Sequence, residues 1–324
     1  MPHKSERLRI LVHYDRPEPL RDRIAARFPD AALACCTSYS GLSGMLAEFA
    51  PGILFCIKFE NRPYPREAVM DCASLSWVSN GGAGVDHLVP WDPGRLTVTN
   101  ASGVASAMMA EYVIGGMLAL SIGLPGFMRR QMEHRWQFRP VAGIAGRTAA
   151  IVGLGRTGQA VAHLANAHGM RVVGTRANPV DTPWVDRVYP ASALHEAIRQ
   201  GDFVIVTAPL LKSTRHLIDG AAIEAMEPGV RLVDVSRGGV VDQAALAAAL
   251  TSGRLAGAVL DVFEAEPLAQ DSPLWDMENV IITPHCSSVY TGWELSAADM
   301  FCDNLERRLA GSPLENVVDP ARGY

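Results

Sequence analysis

The run Ala149-Ala150-Ile151-Val152-Gly153-Leu154-Gly155-Arg156-Thr157-Gly158 carries a short apolar strand straight into a glycine-rich turn. Gly153 suits a tight turn, Gly155 lets a ligand approach the backbone, and Gly158 lets the next helix pack closely on the strand. Gln159 to His168 reads as that helix, Gly169 as its C-terminal cap, and Arg171 to Thr175 as a second strand. A helix starting at such a turn offers unbonded N–H groups at the positive end of its dipole, where a pyrophosphate sits well. A GxGxxG alone is weak evidence, and a glycine-rich turn in another α/β protein is the alternative. The complete strand–turn–helix–strand context favours a dinucleotide site, with Arg156 and Thr157 expected to meet the pyrophosphate.

At 324 residues the chain is long enough for two domains of ordinary size. Hydrophobic residues at 48% and charged residues at 19% suit large buried sheets. A net charge of -5 gives no electrostatic reason to expect nucleic acid or an anionic membrane as partner. Met1 to Arg9 is charged and lacks the apolar stretch of a secretory leader. The longest apolar run, Val113 to Met128, is broken by Gly115, Gly116, Ser121, Gly123 and Pro125. It is short for a membrane span and reads as a buried helix ending near Pro125. Six cysteines, with Cys35-Cys36 adjacent and no CxxC, predict free thiols, a cytoplasmic location and no metal site.

Apolar runs alternate with helical patterns along the chain. Strands are expected at Leu8 to Val12, Gly52 to Ile57, Leu75 to Ser79 and Leu96 to Asn100, with a helix from Leu20 to Phe28. That alternation argues for a parallel sheet with helices on both faces, here without a GxGxxG. Val104 to Ile122 reads as a long helix buried all round, with little charge beyond Glu111, suited to a junction between domains. A polar segment, Arg129 to Pro140, follows. Later strands are expected at Phe203 to Thr207, Arg231 to Val235, Gly257 to Leu260 and Val280 to Thr283. The helix Asp242 to Leu250 lies among them, and a final helix, Trp293 to Leu309, is expected to return to the first domain.

Five motifs in order carry a family likeness. They are Ser79 to His87 (SNGGAGVDH), Gly153 to Gly158, Asp234 to Gly239 (DVSRGG), Leu260 to Pro267 (LDVFEAEP) and Thr283-Pro284-His285. Over nearly its whole length the chain resembles the D-isomer-specific 2-hydroxyacid dehydrogenases, which include phosphoglycerate dehydrogenase and glyoxylate/hydroxypyruvate reductase. The resemblance implies an α/β fold of two doubly wound parallel-sheet domains. A flavodoxin-like substrate domain would take residues 1–100 and the C-terminal helix, 291–324. A Rossmann dinucleotide-binding domain, 101–290, would be inserted between them. It also implies a site in the cleft at the C-terminal ends of the strands, and a homodimer built across the cofactor domains.

Hydride transfer to a 2-keto acid requires that the carboxylate be held and the carbonyl oxygen be polarised and protonated. The family's anchoring arginine falls on Arg237, whose planar fork matches a carboxylate. Its general acid falls on His285, which exchanges a proton near neutrality. The family pattern places the partner carboxylate directly before the proline, which selects Glu266 over Glu264. Such a carboxylate favours the imidazolium. The loop Gly82-Ala83-Gly84 is expected to offer backbone N–H groups to the substrate, chiefly from Ala83 and Gly84. Asp261 resembles the family aspartate near the nicotinamide carboxamide, with a helix cap as the plainer reading. Ala208 and Pro209 are expected beside the adenosine half, and Ser236 and Ser288 beside the nicotinamide half. Met109 is a weaker candidate, since a methionine on an apolar helix is usually core. Lys58, Arg62, Tyr290 and Trp293 read equally well as pocket or as core and surface.

NAD sites usually carry an acidic residue about 20 residues past the glycines, on the ribose 2′-hydroxyl. This chain has Thr175-Arg176-Ala177-Asn178 there. Arg176 suits a 2′-phosphate, so NADP is favoured over NAD. The expected function is reduction of a small 2-keto acid to a D-2-hydroxy acid, as in glyoxylate/hydroxypyruvate reductases. The alternative is a dinucleotide-sensing, non-enzymatic role resembling the C-terminal binding protein corepressors, although the long tails expected of such a hub are missing. Phosphite and formate dehydrogenases share the plan, but Arg237, Glu266 and His285 together fit keto-acid reduction best.

Overall fold

Successive side chains of a strand point to opposite faces, so a fully apolar strand serves two cores at once. Both sheets of this protein are built that way. The computed structural model describes residues 8–60 and 62–320; residues 1–7, the start of the charged stretch expected not to be a leader, lie outside them. The chain divides into two compact units, Met1–Val104 with Thr291–Tyr324, and Ala105–Tyr290.

The first unit holds β1 (Arg9–His13), β2 (Ala32–Cys36), β3 (Ile53–Cys56), β4 (Trp77–Asn80) and β5 (Thr97–Asn100). All are parallel, in the order β2-β1-β3-β4-β5, the flavodoxin-like winding. Leu11, Leu54, Val78 and Val98 enter the core on one face. Ile10, Val12, Phe55 and Trp77 enter the core on the other. The helix Trp293–Leu309 closes that second face, with Phe301 stacked on Phe55 and Trp77 at ring distances of 5.0 and 5.2 Å.

The second unit holds β6 (Thr148–Val152), β7 (Arg171–Arg176), β8 (Arg187–Pro190), β9 (Phe203–Val206), β10 (Val230–Asp234), β11 (Leu255–Leu260) and β12 (Val280–Ile282). The order is β12-β11-β10-β9-β6-β7-β8, all parallel. Counted from β6, this is the Rossmann order extended by one strand. Ala150, Val152, Val204 and Leu232 face one core, and Ala149, Ile151, Ile205 and Val233 the other.

Two strands are absent from the sequence reading, β2 and β8. Both are edge strands, where one side needs no partner and a run of strong β-formers is not required. The helix α1 (Ser106–Ile122) also departs from expectation. It buries Ala110, Val113, Ile114, Met117 and Leu120, but Ala107, Glu111 and Gly115 form an exposed stripe at helical spacing. Gly123 ends it in the left-handed region, and a second helix, Leu124–Met132, occupies the start of the segment read as polar. No single helix among the described residues is long and apolar enough to cross a membrane.

Candidate active site

The glycine turn has the shape its residue types demand. Gly153 lies at φ +104°, and a Cβ there would stand 2.9 Å from the Ala208 nitrogen. A Cβ at Gly158 would come within 2.1 Å of the Gly153 carbonyl oxygen. A Cβ at Gly155 would meet nothing within 4 Å, which leaves open space at the point where a pyrophosphate must approach. The helix α2 (Arg156–Ala167) starts here, and no side chain caps its N-terminus. The turn therefore fits a dinucleotide by its own geometry. Leu154 N–H donates to the Thr175 carbonyl at 2.9 Å, tying the turn to the strand end that carries Arg176. Thr207 Oγ1 donates to the Gly153 carbonyl at 2.6 Å, so Ala208 and Pro209 leave β9 beside the same turn. Met109 lies beside the turn as well. Its Sδ lies 3.8 Å from Thr157 Oγ1.

The candidate chemical residues leave the C-terminal ends of three neighbouring strands. Arg237 follows β10, Asp261 and Glu266 follow β11, and His285 follows β12. The loops are locked together by backbone. A Cβ at Gly238 would fall 1.8 Å from the Phe263 carbonyl oxygen, so only glycine lets the Arg237 loop lie against the Glu266 loop. Glu266 turns one oxygen inward, where Oε1 accepts the Phe263 N–H at 3.0 Å. Its other oxygen, Oε2, lies 2.8 Å from His285 Nδ1. Glu264 is used elsewhere, between His216 Nε2 at 3.1 Å and the Gln243 N–H at 3.2 Å.

Asp261 is fully buried, and it organises the His285 turn. Its Oδ1 accepts the Thr283 hydroxyl at 2.5 Å and the Cys286 N–H at 2.9 Å, while Oδ2 accepts the Ser287 N–H at 3.0 Å. Its own carbonyl accepts the His285 N–H at 2.8 Å. Those bonds hold His285 at φ +53°, an uncommon backbone state for a histidine. Ser288, half-buried, follows this clamp. Ser236 is bound to Asp234, whose Oδ1 accepts both its hydroxyl at 2.5 Å and its N–H at 3.0 Å. Burial pushes the Asp234 carboxyl up to about 7, against the pull of those Ser236 bonds. Half-buried Arg237 donates from Nη1 to the Ser236 carbonyl at 2.7 Å.

In the first unit, the loop after β4 is pinned by two asparagines that the sequence reading overlooked. Asn80 Nδ2 donates to the Gly82 and Gly84 carbonyls at 2.8 Å each, and Asn100 Nδ2 to the Ala83 carbonyl at 2.8 Å. With all three carbonyls tied back, the loop has one fixed backbone orientation. Their signal in the sequence is a common one, an asparagine at the end of a strand. Lys58 and Arg62 line a cavity of about 490 Å³ in this unit with Tyr64, Arg66, Glu67 and His87. Trp293 packs on the core of the same unit.

Residues 114–287 match the family model described as D-isomer specific 2-hydroxyacid dehydrogenase, NAD binding domain. A D-3-phosphoglycerate dehydrogenase of Methanocaldococcus jannaschii is 32% identical over 260 residues, which are 78% of this chain and 49% of that protein. The chain thus spans about half the length of the first curated relatives it matches. A D-isomer specific 2-hydroxyacid dehydrogenase from Xanthobacter autotrophicus Py2, solved with NADPH and MES, superposes with a TM-score of 0.84 at 33% identity, over 97% of this chain and 99% of that one. An NADPH-dependent glyoxylate/hydroxypyruvate reductase from Sinorhizobium meliloti, solved with NADP and sulfate, gives 0.83 at 26% identity, over 98% and 100%. The five motifs, the two sheet orders and these matches agree, and the chain belongs to the D-isomer specific 2-hydroxyacid dehydrogenase family.

Proposed function

We propose that this protein is an NADP(H)-preferring reductase that converts a small 2-keto acid, of the glyoxylate or hydroxypyruvate kind, to a D-2-hydroxy acid. The His285–Glu266 pair at 2.8 Å carries the reading, because it is an imidazole with a carboxylate behind it at the C-terminal ends of β12 and β11, in the same sheet as the glycine turn. Gly153, Gly155, Gly158, Arg156 and Thr157 would hold the dinucleotide, which would supply the hydride when bound. Arg237 offers the fork that holds the substrate carboxylate. His285 holds the proton that the carbonyl oxygen takes up, and Glu266 stabilises the imidazolium until it is given. The Ala83 and Gly84 backbone amides, in the loop fixed by Asn80 and Asn100, are assigned to the substrate carboxylate. Arg176, at the end of β7, is assigned to the 2′-phosphate. The relatives solved with NADPH and NADP support that preference. They also support hydride transfer over a dinucleotide-sensing, non-enzymatic role.

The finer expectations are carried by surface chemistry. Trp136 is fully exposed, and Phe138 and Met132 are 89% and 83% exposed, next to exposed Met128 and Val141. An apolar arm of that size supports a homodimer in which a second copy covers it. Six free cysteines, three of them buried, support a reducing, cytoplasmic setting. The test is a steady-state assay with glyoxylate, hydroxypyruvate and larger 2-keto acids against both reduced cofactors. Cofactor oxidation with the small acids, faster with NADPH than NADH, is expected. No turnover with any keto acid would overturn the reading.

A further inference from the structure

Tyr112 stands outside every group assigned above. It lies in α1, among residues whose pattern is that of a core helix. Its hydroxyl oxygen is 2.6 Å from Thr283 Oγ1, and the Thr283 hydroxyl donates to Asp261 Oδ1 at 2.5 Å. A hydroxyl has one proton to give. With the Thr283 proton committed to Asp261, the Tyr112 hydroxyl must be the donor to Thr283. Burial pushes the Tyr112 phenol up to about 12, so it keeps that proton across the working range. The order Tyr112 to Thr283 to Asp261 is therefore fixed, and it ends on the carboxylate that clamps the Cys286 and Ser287 N–H groups around His285.

The same helix reaches the cofactor turn. Ser106 Oγ lies 3.5 Å and Met109 Sδ 3.8 Å from Thr157 Oγ1. Ser106, Met109 and Tyr112 follow one another at three-residue steps along one side of α1. One helix thus touches both the glycine turn and the His285 turn.

We propose that Tyr112 is a positioning residue for the acid–base pair, acting through Thr283 and Asp261 to hold His285 against Glu266. The inference rests on the reading of His285 as the proton carrier. The titratable and charged groups around that turn are Glu266 and Asp261 after β11, Asp234 at the end of β10 and Arg237 after it, Cys286 beside the histidine, and Tyr112 itself on α1. Of these, Glu266 alone has a hydrogen bond to the imidazole among the described residues. Loss of the clamp lets the ring leave that carboxylate part of the time, which weakens the imidazolium.

The test compares Tyr112→Phe, Thr283→Val and Thr283→Ser with the wild-type protein. Tyr112→Phe removes one oxygen and keeps the ring. It is expected to lower kcat for keto-acid reduction about 5- to 10-fold. The high-pH limb of the rate profile should move to lower pH, and the Kd for NADPH should stay unchanged. Thr283→Val, which breaks both bonds, should be worse, and Thr283→Ser should restore wild-type behaviour. The His285 ring resonances, followed by NMR without cofactor, should shift or broaden in Tyr112→Phe as the ring loses its single position against Glu266. A variant with the wild-type limb and the wild-type His285 ring resonances would overturn the inference, whatever its Tm. Failure of the wild-type protein to reduce any keto acid would instead overturn the reading beneath it.

Discussion

His285 Nδ1 meets Glu266 Oε2 at 2.8 Å, and the same carboxylate is anchored through Oε1 on the Phe263 N–H at 3.0 Å. One oxygen is structural and the other is free to serve the imidazole. The arrangement holds the ring with Nε2 as its remaining nitrogen, the atom that can face a substrate. The two side chains are 40% and 37% exposed, so solvent reaches the pair and its contribution to stability is small.

Glu266→Gln keeps the shape and the Phe263 bond but removes the charge behind the ring. Reduction should slow by about 100-fold, and its high-pH limb should shift to lower pH, because a neutral amide no longer favours the imidazolium. Steady-state rates measured on both sides of neutral pH check this. A Gln variant as fast as wild type with an unmoved limb would remove Glu266 from the proton path.

Arg237→Ala removes the fork while leaving the Gly238 contact with Phe263 in place. Turnover should fall below detection with cofactor affinity nearly intact, since the glycine turn is formed by other residues. Fluorescence titration with NADPH separates the two effects. A large loss of NADPH affinity would move Arg237 from the substrate to the dinucleotide.

Arg176→Asp tests the charge at the end of β7. A charged hydrogen bond to a 2′-phosphate is worth about 1.5–3 kcal/mol, so the NADPH/NADH preference should fall about 10- to 100-fold. Activity with NADH should persist, because the turn itself is untouched. An unchanged ratio of kcat/KM for the two cofactors would dismiss the phosphate contact.

The legible parts of this protein are those written in contiguous runs. Central strands such as β6, β9 and β10 are apolar on both faces and stand out, whereas the edge strands β2 and β8 do not. Arg237, Glu266 and His285 were each visible in a motif. How they are held was not. Tyr112 and Thr283 are separated by 171 residues, and a tyrosine on an apolar helix has the same pattern as core. Asp261 could be read as a cofactor contact or a cap, and its side chain binds the turn after β12, 25 and 26 residues further on. Such contacts belong to the sheet order, which no local pattern encodes.

Asp234 gives the protein a pH-dependent weakness that one substitution should remove. Burial raises its carboxyl from 3.8 to about 7. A carboxyl raised in this way contributes stability below its unfolded value and loses that contribution as pH rises through the folded value. Stability from this group should thus fall between about pH 4 and pH 7, by about 4 kcal/mol at most. His13 works oppositely. Burial lowers its imidazole from 6.5 to about 4, so its contribution grows as pH rises through that window and is complete above it. Near pH 8, a value outside both windows, only the Asp234 cost remains. Asp234→Asn keeps an oxygen for the Ser236 hydroxyl and N–H but has no charge to bury. Its Tm should exceed that of wild type at pH 8 and match it at pH 4, with a flatter dependence between, as followed by calorimetry. A variant less stable than wild type at the higher pH would mean that Asp234 is held ionised at a net gain, and that its tie to Ser236 outweighs its burial.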